Sequence, residues 1–423
     1  MIGSGFMLRC IKHILPAFLF LAALNCHAAA GSIRLVAWNL LNWPNTASMQ
    51  SDSATRCPYY RQVINALQPS ILITEENQDP VSTPWFLSQV LNVNSSYYRQ
   101  GIYIQGPDSN NGIFYLDSLF NFVSNRPIKT TLRDINEFTM VYKPTQDTFR
   151  IYAVHLKASS GSANEIQRGK EVDSLRKVTN ALPAGSNFIV CGDFNIYGDY
   201  ESAYQKLLQD NPGDDGNFVD PFQMTGTWND AVYSFYHSQS TRLNQFGGGS
   251  FGGLDDRFDL ILYSNGVANS GGMYYVPGSC YPFGNDGGHY GVSINSGTNT
   301  AVTQAVADAL YYASDHLPIV SEFEFGTNPG IVETAFAKDL TLFPNPVRKE
   351  LSFSFNSISG GSFTWQLISS SGRVAAESDA PVAFVSGSNS GLISLPSSLP
   401  QGQYILLLKN DKSLIVKNIL IVK

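Results

Sequence analysis

Basic residues are scarce along most of this 423-residue chain. Segment 31–330 holds 17 Lys and Arg against 28 Asp and Glu, a difference of −11, whereas 331–423 holds 8 against 6, or +2. A protein that grips nucleic acid through its surface presents a basic face to the phosphates. The acidic large segment disfavours that mode, so a polyanion would have to be held by bound metal and a few local arginines. Carboxylates that ligate a metal themselves add negative charge, so the balance does not exclude such a ligand. Long apolar runs are missing after the N-terminus, and no later segment is expected to span a membrane. Cysteine is sparse, five in all, too few for a disulfide-built scaffold in a chain of this length. The chain contains no internal repeat. With 43% hydrophobic and 14% charged residues the composition is that of a globular protein, and disorder is not the default.

The first thirty residues read as an export signal. Arg9 and Lys12 precede an apolar run from Ile14 to Leu24, followed by the small residues Ala28, Ala29 and Ala30 suited to cleavage. Leu24-Asn25 before Cys26 is a poor lipobox. Removing residues 1–30 takes Cys10 and Cys26 and leaves Cys57, Cys191 and Cys280. Cys191 ends the apolar run Asn187–Cys191, where a cysteine acts as a small buried hydrophobe. Cys57–Cys280 is then the remaining disulfide that an oxidising compartment permits.

From Ser32 the chain alternates apolar strand-like runs with helix-like stretches. Strands are predicted at Ile33–Leu40, Ile71–Ile73, Phe149–Leu156, Phe188–Gly192 and Phe258–Tyr263, and helices at Tyr59–Leu67, Ile166–Leu182 and Glu201–Gln209. This is an α/β pattern. Segments 210–254 and 264–312, rich in Gly, Asn, Ser and Tyr, break it and read as long loops. The run Gly247–Gly253 lacks the lysine and helix start of a phosphate-binding loop and reads as a flexible loop. Glu322–Lys338 has linker composition, with its core at 329–338, and 339–423 alternates as an all-β domain.

Five clusters of oxygen- and nitrogen-bearing side chains fall at predicted strand ends. In chain order they are Arg34–Asn39, Pro69–Glu76, Ile151–Lys157, Val190–Asn195, and the pair Asp256–Leu262 with Ser314–Pro318. Hydrolysis of a phosphate ester needs a hard cation on oxygen ligands, a base for water and support for the leaving oxygen. These residue types supply all three.

The series resembles the endonuclease/exonuclease/phosphatase superfamily from about Ile33 to Phe325. Gly192-Asp193-Phe194-Asn195 and Ser314-Asp315-His316-Leu317-Pro318 are its most specific parts. The resemblance implies a four-layer α/β sandwich, two packed mixed β-sheets flanked by helices, over residues 31–328. It implies that Asn39, Glu76 and Asp315 hold a Mg2+ ion, with Mn2+ as an alternative and one or two ions in use. Glu76, rather than Glu75, matches the ligand position. His316 is the implied general base, Asp259 the carboxylate that orients it, and Asp193 and Asn195 the groups facing the phosphate. His155 is implied to stabilise the transition state or protonate the leaving group. Arg126, Arg133, Asp134 and Asn136 read as structural ion pairs at least as well as phosphate contacts, and His237, Arg242 and His289 read as surface loop residues.

The tail resembles the type IX secretion sorting domains of Bacteroidetes-type bacteria, through Leu342–Pro346, Ser371–Val374 and Gln401–Leu406. That implies a small C-terminal β-sandwich at 339–423, the type IX machinery as partner, and a secreted or surface location on a Gram-negative cell. The expected whole is a monomeric, metal-dependent phosphodiesterase whose substrate is nucleic acid or another phosphoester. A phosphomonoesterase, a sphingomyelinase-like lipid phosphodiesterase and a non-catalytic surface protein stand as alternatives.

Overall fold

Alternation along the first strand sets the layering of the large domain. In β1 (Ser32–Trp43), Ile33, Leu35 and Ala37 enter one buried cluster while Val36, Trp38 and Leu40 enter another. Successive strand residues point to opposite faces, so both faces of this strand must be covered. Each fully buried Ile, Val or Leu contributes about 1.5–3 kcal/mol, and a one-residue slip would exchange the two faces.

The computed structural model describes residues 32–44, 53–222, 224–270, 272–326, 337–357, 359–369, 374–410 and 414–422. The expected leader and most of the expected linker lie outside the described residues. After β1 come β2 (Ile71–Asn77), β3 (Tyr98–Gln100), β4 (Asn110–Leu116), β5 (Phe120–Ile128), β6 (Ile135–Tyr142), β7 (Asp147–His155) and β8 (Phe188–Asp193). They are followed by β9 (Phe218–Val219), β10 (Asp259–Ser264), β11 (Gly272–Tyr275), β12 (Tyr281–Pro282) and β13 (Ile319–Gly326). One sheet runs β11-β13-β1-β2-β4-β3 with β12 on β13, and the other runs β5-β6-β7-β8-β10-β9. The larger core, with Leu35, Ile73, Ile113, Phe138, Ile151, Val190 and Ile261, draws on both sheets.

Helices α1 (Ser53–Leu67), α2 (Ser82–Phe86), α3 (Ser162–Thr179), α4 (Ser202–Leu208) and α5 (Gln304–Ala313) cover the outsides. Tyr60, Val63 and Leu67 of α1 and Ala309, Leu310 and Ala313 of α5 pack on Val36, Trp38 and Leu72. Val172 and Leu175 of α3 and Ala203 and Leu207 of α4 join the core of the second sheet. The architecture is the expected four-layer α/β sandwich. The tail forms a three-stranded and a five-stranded sheet over one shared cluster that includes Leu351, Phe353, Trp365, Leu367, Leu406 and Ile419.

Several expectations are corrected. Segment 264–312 holds β11, β12 and most of α5, whose Thr303 side chain caps its first turn. The linker composition starting at Glu322 gives way to β13, which continues to Gly326. Cys57 and Cys280 do not form a disulfide; they are thiols buried in different clusters, as Cys191 is in its strand. His237, Arg242 and His289 are interior residues, because the loops that carry them fold back over the sandwich.

Strand directions collect one set of termini at a single edge. β1 and β2 are parallel with Asn39 opposite Glu75, and β7 and β8 are parallel with His155 opposite Asp193. β10 runs antiparallel to β8 and starts with Asp259 opposite Asp193. β13 runs antiparallel to β1, its first residue Ile319 opposite Ala37, so the preceding Asp315 and His316 reach the same edge.

Candidate active site

Backbone geometry at the strand ends turns the side chains inward. Gly192 has φ +127°, and a methyl there would lie 2.2 Å from the Val154 carbonyl oxygen, so glycine alone lets β8 approach β7 this closely. Glu76 and Asn195 are non-glycine residues at positive φ, +61° and +52°. Such conformations cost on the order of 1 kcal/mol and cluster at functional positions.

All eight residues expected at the site are brought together. Asn39 Nδ2 donates to Glu76 Oε1 at 3.1 Å and to Asp193 Oδ2 at 3.3 Å. The Asn42 N–H donates to Glu76 Oε2 at 2.6 Å. His316 Nδ1 lies 2.8 Å from Asp259 Oδ2, and its Nε2 lies 3.6 Å from Asp193 Oδ2. His155 Nε2 lies 3.6 Å from the same Asp193 oxygen. Asp193 Oδ1 accepts the Asn195 N–H, and Asn195 Nδ2 donates to the Leu156 carbonyl. Asp315 Oδ2 accepts the Ser250 N–H at 2.6 Å, while its Oδ1 is buried and accepts no hydrogen bond from a described residue.

Electrostatics follow from crowding acids in a buried cleft. Burial, reinforced by Asp315, raises the pKa of Glu76, and burial with Asp259 raises that of Asp193 against the lowering effect of His316. Burial works against a charge on His316, but Asp259 and Asp193 outweigh it and hold its pKa well above the ordinary histidine value. His155 goes the other way: burial, then the positive charges of Arg133 and His316, keep it neutral.

Other residues of the cluster carry no motif. Glu75 is fully buried beneath Gly192, with neither carboxylate oxygen hydrogen-bonded to a described residue, and burial followed by Asp259 and Asp193 pushes its pKa well up. Ser238 Oγ donates to Asp259 Oδ2 at 2.6 Å, and the Gln239 amide contacts His316 Nε2. Ser238 and Gln239 sit in the segment read as a loop, where only their proximity in the fold reveals them. The ambiguous basic and polar residues take structural partners: Arg126 pairs with Glu137, Arg133 with Asp108, Lys129 with Asp134, and Asn136 with Asn125 and Asn111. Arg133 also donates to the Leu156 carbonyl, next to His155.

Among the described residues no group of three or more His, Cys, Asp or Glu side chains forms a metal cage. A Mg2+-type ion needs no such cage, because it keeps several waters and binds through one or two carboxylates. Glu76 and the unpaired Oδ1 of Asp315 are hard oxygen donors of that kind, set in an excess of buried acid, and they fit a divalent cation.

No curated protein matches the chain. Among solved structures, the human Nocturnin catalytic domain with bound sulfate is similar at 21% identity, covering 70% of this chain and 95% of that one, with a TM-score of 0.44. An endonuclease/exonuclease/phosphatase family protein from Bacteroides thetaiotaomicron is similar at 17% identity over 70% and 99%, with a TM-score of 0.44. One from Beutenbergia cavernae is similar at 16% identity over 92% and 99%, with a TM-score of 0.41. Among the described residues no helix is long and apolar enough to cross a membrane. Residues 341–423 match the secretion system C-terminal sorting domain, and by that tail the protein is a secreted or cell-surface one.

Proposed function

We propose that the protein is a secreted, divalent-metal-dependent phosphodiesterase of the endonuclease/exonuclease/phosphatase type, acting as an extracellular nuclease. The observation that carries this reading is the Asp259–His316 pair, 2.8 Å apart, whose second imidazole nitrogen lies against the Gln239 amide and faces Asp193 in a cleft also lined by Glu76 and Asp315.

In its neutral form, which a cation held beside Glu76 and Asp315 would favour by offsetting the acids that raise its pKa, His316 Nε2 is the base that takes a proton from the attacking water. Asp259 fixes the tautomer by accepting from Nδ1 and stabilises the imidazolium once it forms. Asp193, between the two histidines, orients the water and holds Asn39. Neutral His155 and the Asn195 amide donate hydrogen bonds to the phosphoryl oxygens, where charge builds in the transition state. Glu76 and Asp315, with Asn39 orienting Glu76, would hold a Mg2+ or Mn2+ ion, which supplies neutralisation of phosphoryl charge and a more acidic water.

The test is to incubate the full chain with plasmid DNA, RNA, and chromogenic phosphomonoester and phosphodiester substrates, each with Mg2+, with Mn2+ and with a chelator. Metal-dependent cleavage of DNA or RNA supports the nuclease reading. Turnover of small esters alone moves the assignment to a phosphomonoesterase or lipid phosphodiesterase. Silence on every substrate contradicts the catalytic reading.

A further inference from the structure

The two oxygens of Asp315 have different surroundings. Oδ2 is held by the Ser250 N–H at 2.6 Å, and Oδ1 is buried without a hydrogen bond from a described residue. The donor belongs to the glycine run that sequence composition marked as a flexible loop. In the fold that run is packed against the carboxylate: Gly249 has φ +80°, and a methyl on it would lie 2.6 Å from Asp315 Oδ2 and 2.6 Å from Leu41 Cδ1.

Arg242 closes this loop from inside. Its side chain, with the residue 1% exposed, donates through Nη1 to the carbonyls of Phe246 at 2.9 Å and Gly248 at 3.0 Å, and through Nε to that of Tyr311 in α5 at 2.9 Å. The Arg242 carbonyl accepts the N–H groups of Gly252 and Gly253, and Ser240 Oγ donates to the Ser250 carbonyl. Thr241 grips the same stretch from the other side: its N–H donates to the Asp315 carbonyl and its Oγ1 to the Ser314 carbonyl. Segment 240–253 is therefore fastened both to itself and to Ser314–Asp315. A buried guanidinium is costly to desolvate; this one spends its donors on the carbonyls that shape one loop.

We infer that Arg242 and Gly249 are positioning residues for cation binding at Asp315. The stapled loop fixes the carboxylate through Oδ2 and leaves Oδ1 as the ligand atom. Partners that orient a ligating carboxylate in this way tune metal affinity by about 10–100-fold. The inference rests on the metal-dependent reading of the site, and its test separates the two.

Mn2+ binding to the full chain is measured by titration calorimetry and by the electron paramagnetic resonance of free Mn2+, for wild type, Gly249→Ala, Arg242→Lys and Ser250→Ala. Far-UV circular dichroism and the urea midpoint report folding. Wild type is expected to bind Mn2+. Gly249→Ala and Arg242→Lys are expected to weaken binding about 10–100-fold, with turnover restored by excess Mn2+ and with substrate KM unchanged at saturating metal. Ser250→Ala is expected to bind as wild type does, because its donor is the backbone N–H. If Arg242→Lys fails to fold, Gly249→Ala carries the test, since its added methyl meets the carboxylate directly. Wild-type affinity in a folded Gly249→Ala variant overturns the positioning role. Absence of Mn2+ binding in wild type overturns the metal-dependent reading itself.

Discussion

His316 Nδ1 and Asp259 Oδ2 meet at 2.8 Å with both side chains buried, and Ser238 Oγ donates to the same carboxylate oxygen at 2.6 Å. A buried carboxylate held from two sides orients the imidazole and favours its protonated form. Asp259→Asn keeps the shape and removes the charge, so kcat is expected to fall by about 10²–10⁴-fold while the urea midpoint stays near that of wild type. Equal kcat in a folded Asp259→Asn variant contradicts the role given to this pair.

Adjacent glutamates are expected to behave oppositely. Glu76 is hydrogen-bonded to Asn39 and to the Asn42 N–H at the mouth of the site. Glu75 lies beneath Gly192 with no hydrogen bond from a described residue to either oxygen. Glu76→Gln is expected to weaken Mn2+ binding and lower turnover by roughly 10²-fold. Glu75→Gln is expected to stay active and to be neutral or stabilising by about 1 kcal/mol, because it relieves an unpaired buried acid among other acids. Urea unfolding and turnover of the two variants side by side decide this; loss of activity in Glu75→Gln alone would invert the assignment.

His237 gives a pH dependence that lies away from the candidate-site carboxylates, with Asp230 as its acidic neighbour. Its Nε2 lies 2.8 Å from the Trp228 carbonyl, and burial lowers its pKa to about 4 against the smaller raising effect of its backbone hydrogen bonds. Below its ordinary value of about 6.5 the unfolded chain binds a proton that the folded chain refuses until about pH 4. Its stabilising contribution is thus complete above pH 6.5 and is lost as pH falls toward 4, by up to about 3 kcal/mol. Urea unfolding of wild type and His237→Gln at pH 7 and pH 4.5 checks it. The variant should lose less stability than wild type over that interval, and identical losses would remove His237 as the cause.

Arg168 and Glu201 form a bidentate ion pair that is fully buried, with contacts of 2.8 and 2.9 Å. Arg168 Nη1 also donates to the carbonyls of Lys157 and Ser159, and Glu201 accepts the Tyr197 N–H. The pair therefore ties together the loops that follow His155 and Asn195. Glu201→Ala strands a buried guanidinium and is expected to cost about 3–5 kcal/mol in urea unfolding. Replacing both residues by Met and Leu is expected to recover most of that loss, and a double variant as unstable as Glu201→Ala would argue against an electrostatic origin.

Sequence legibility followed periodicity and local motif. Ile33–Leu40, Phe149–Leu156 and Phe188–Gly192 show their strands because both faces are buried and the runs are apolar. Of the candidate site residues, Asp193, Asn195, Asp315 and His316 could be singled out because they lie in two short motifs, and Asn39, Glu76, His155 and Asp259 because they lie near strand ends. Segment 264–312 was not, because Gly- and Ser-rich composition masks α5, whose apolar stripe Ala307, Leu310 and Ala313 is short. Gln239, Ser238 and Ser250 stayed hidden since their roles depend on where a loop folds, and Ser250 acts through a backbone N–H that any residue but proline supplies. Interior Arg242 looked like a loop residue because its partners are carbonyl oxygens, which leave no trace in side-chain identity.

The most direct test of a hydrolytic centre at this edge is phosphodiester turnover by wild type and His316→Ala, with Mn2+ and with a chelator, alongside circular dichroism of both proteins. The expected result is turnover in wild type that vanishes with the chelator and falls by at least about 10²-fold in a folded His316→Ala variant. Turnover that survives both treatments would contradict the assignment of the site.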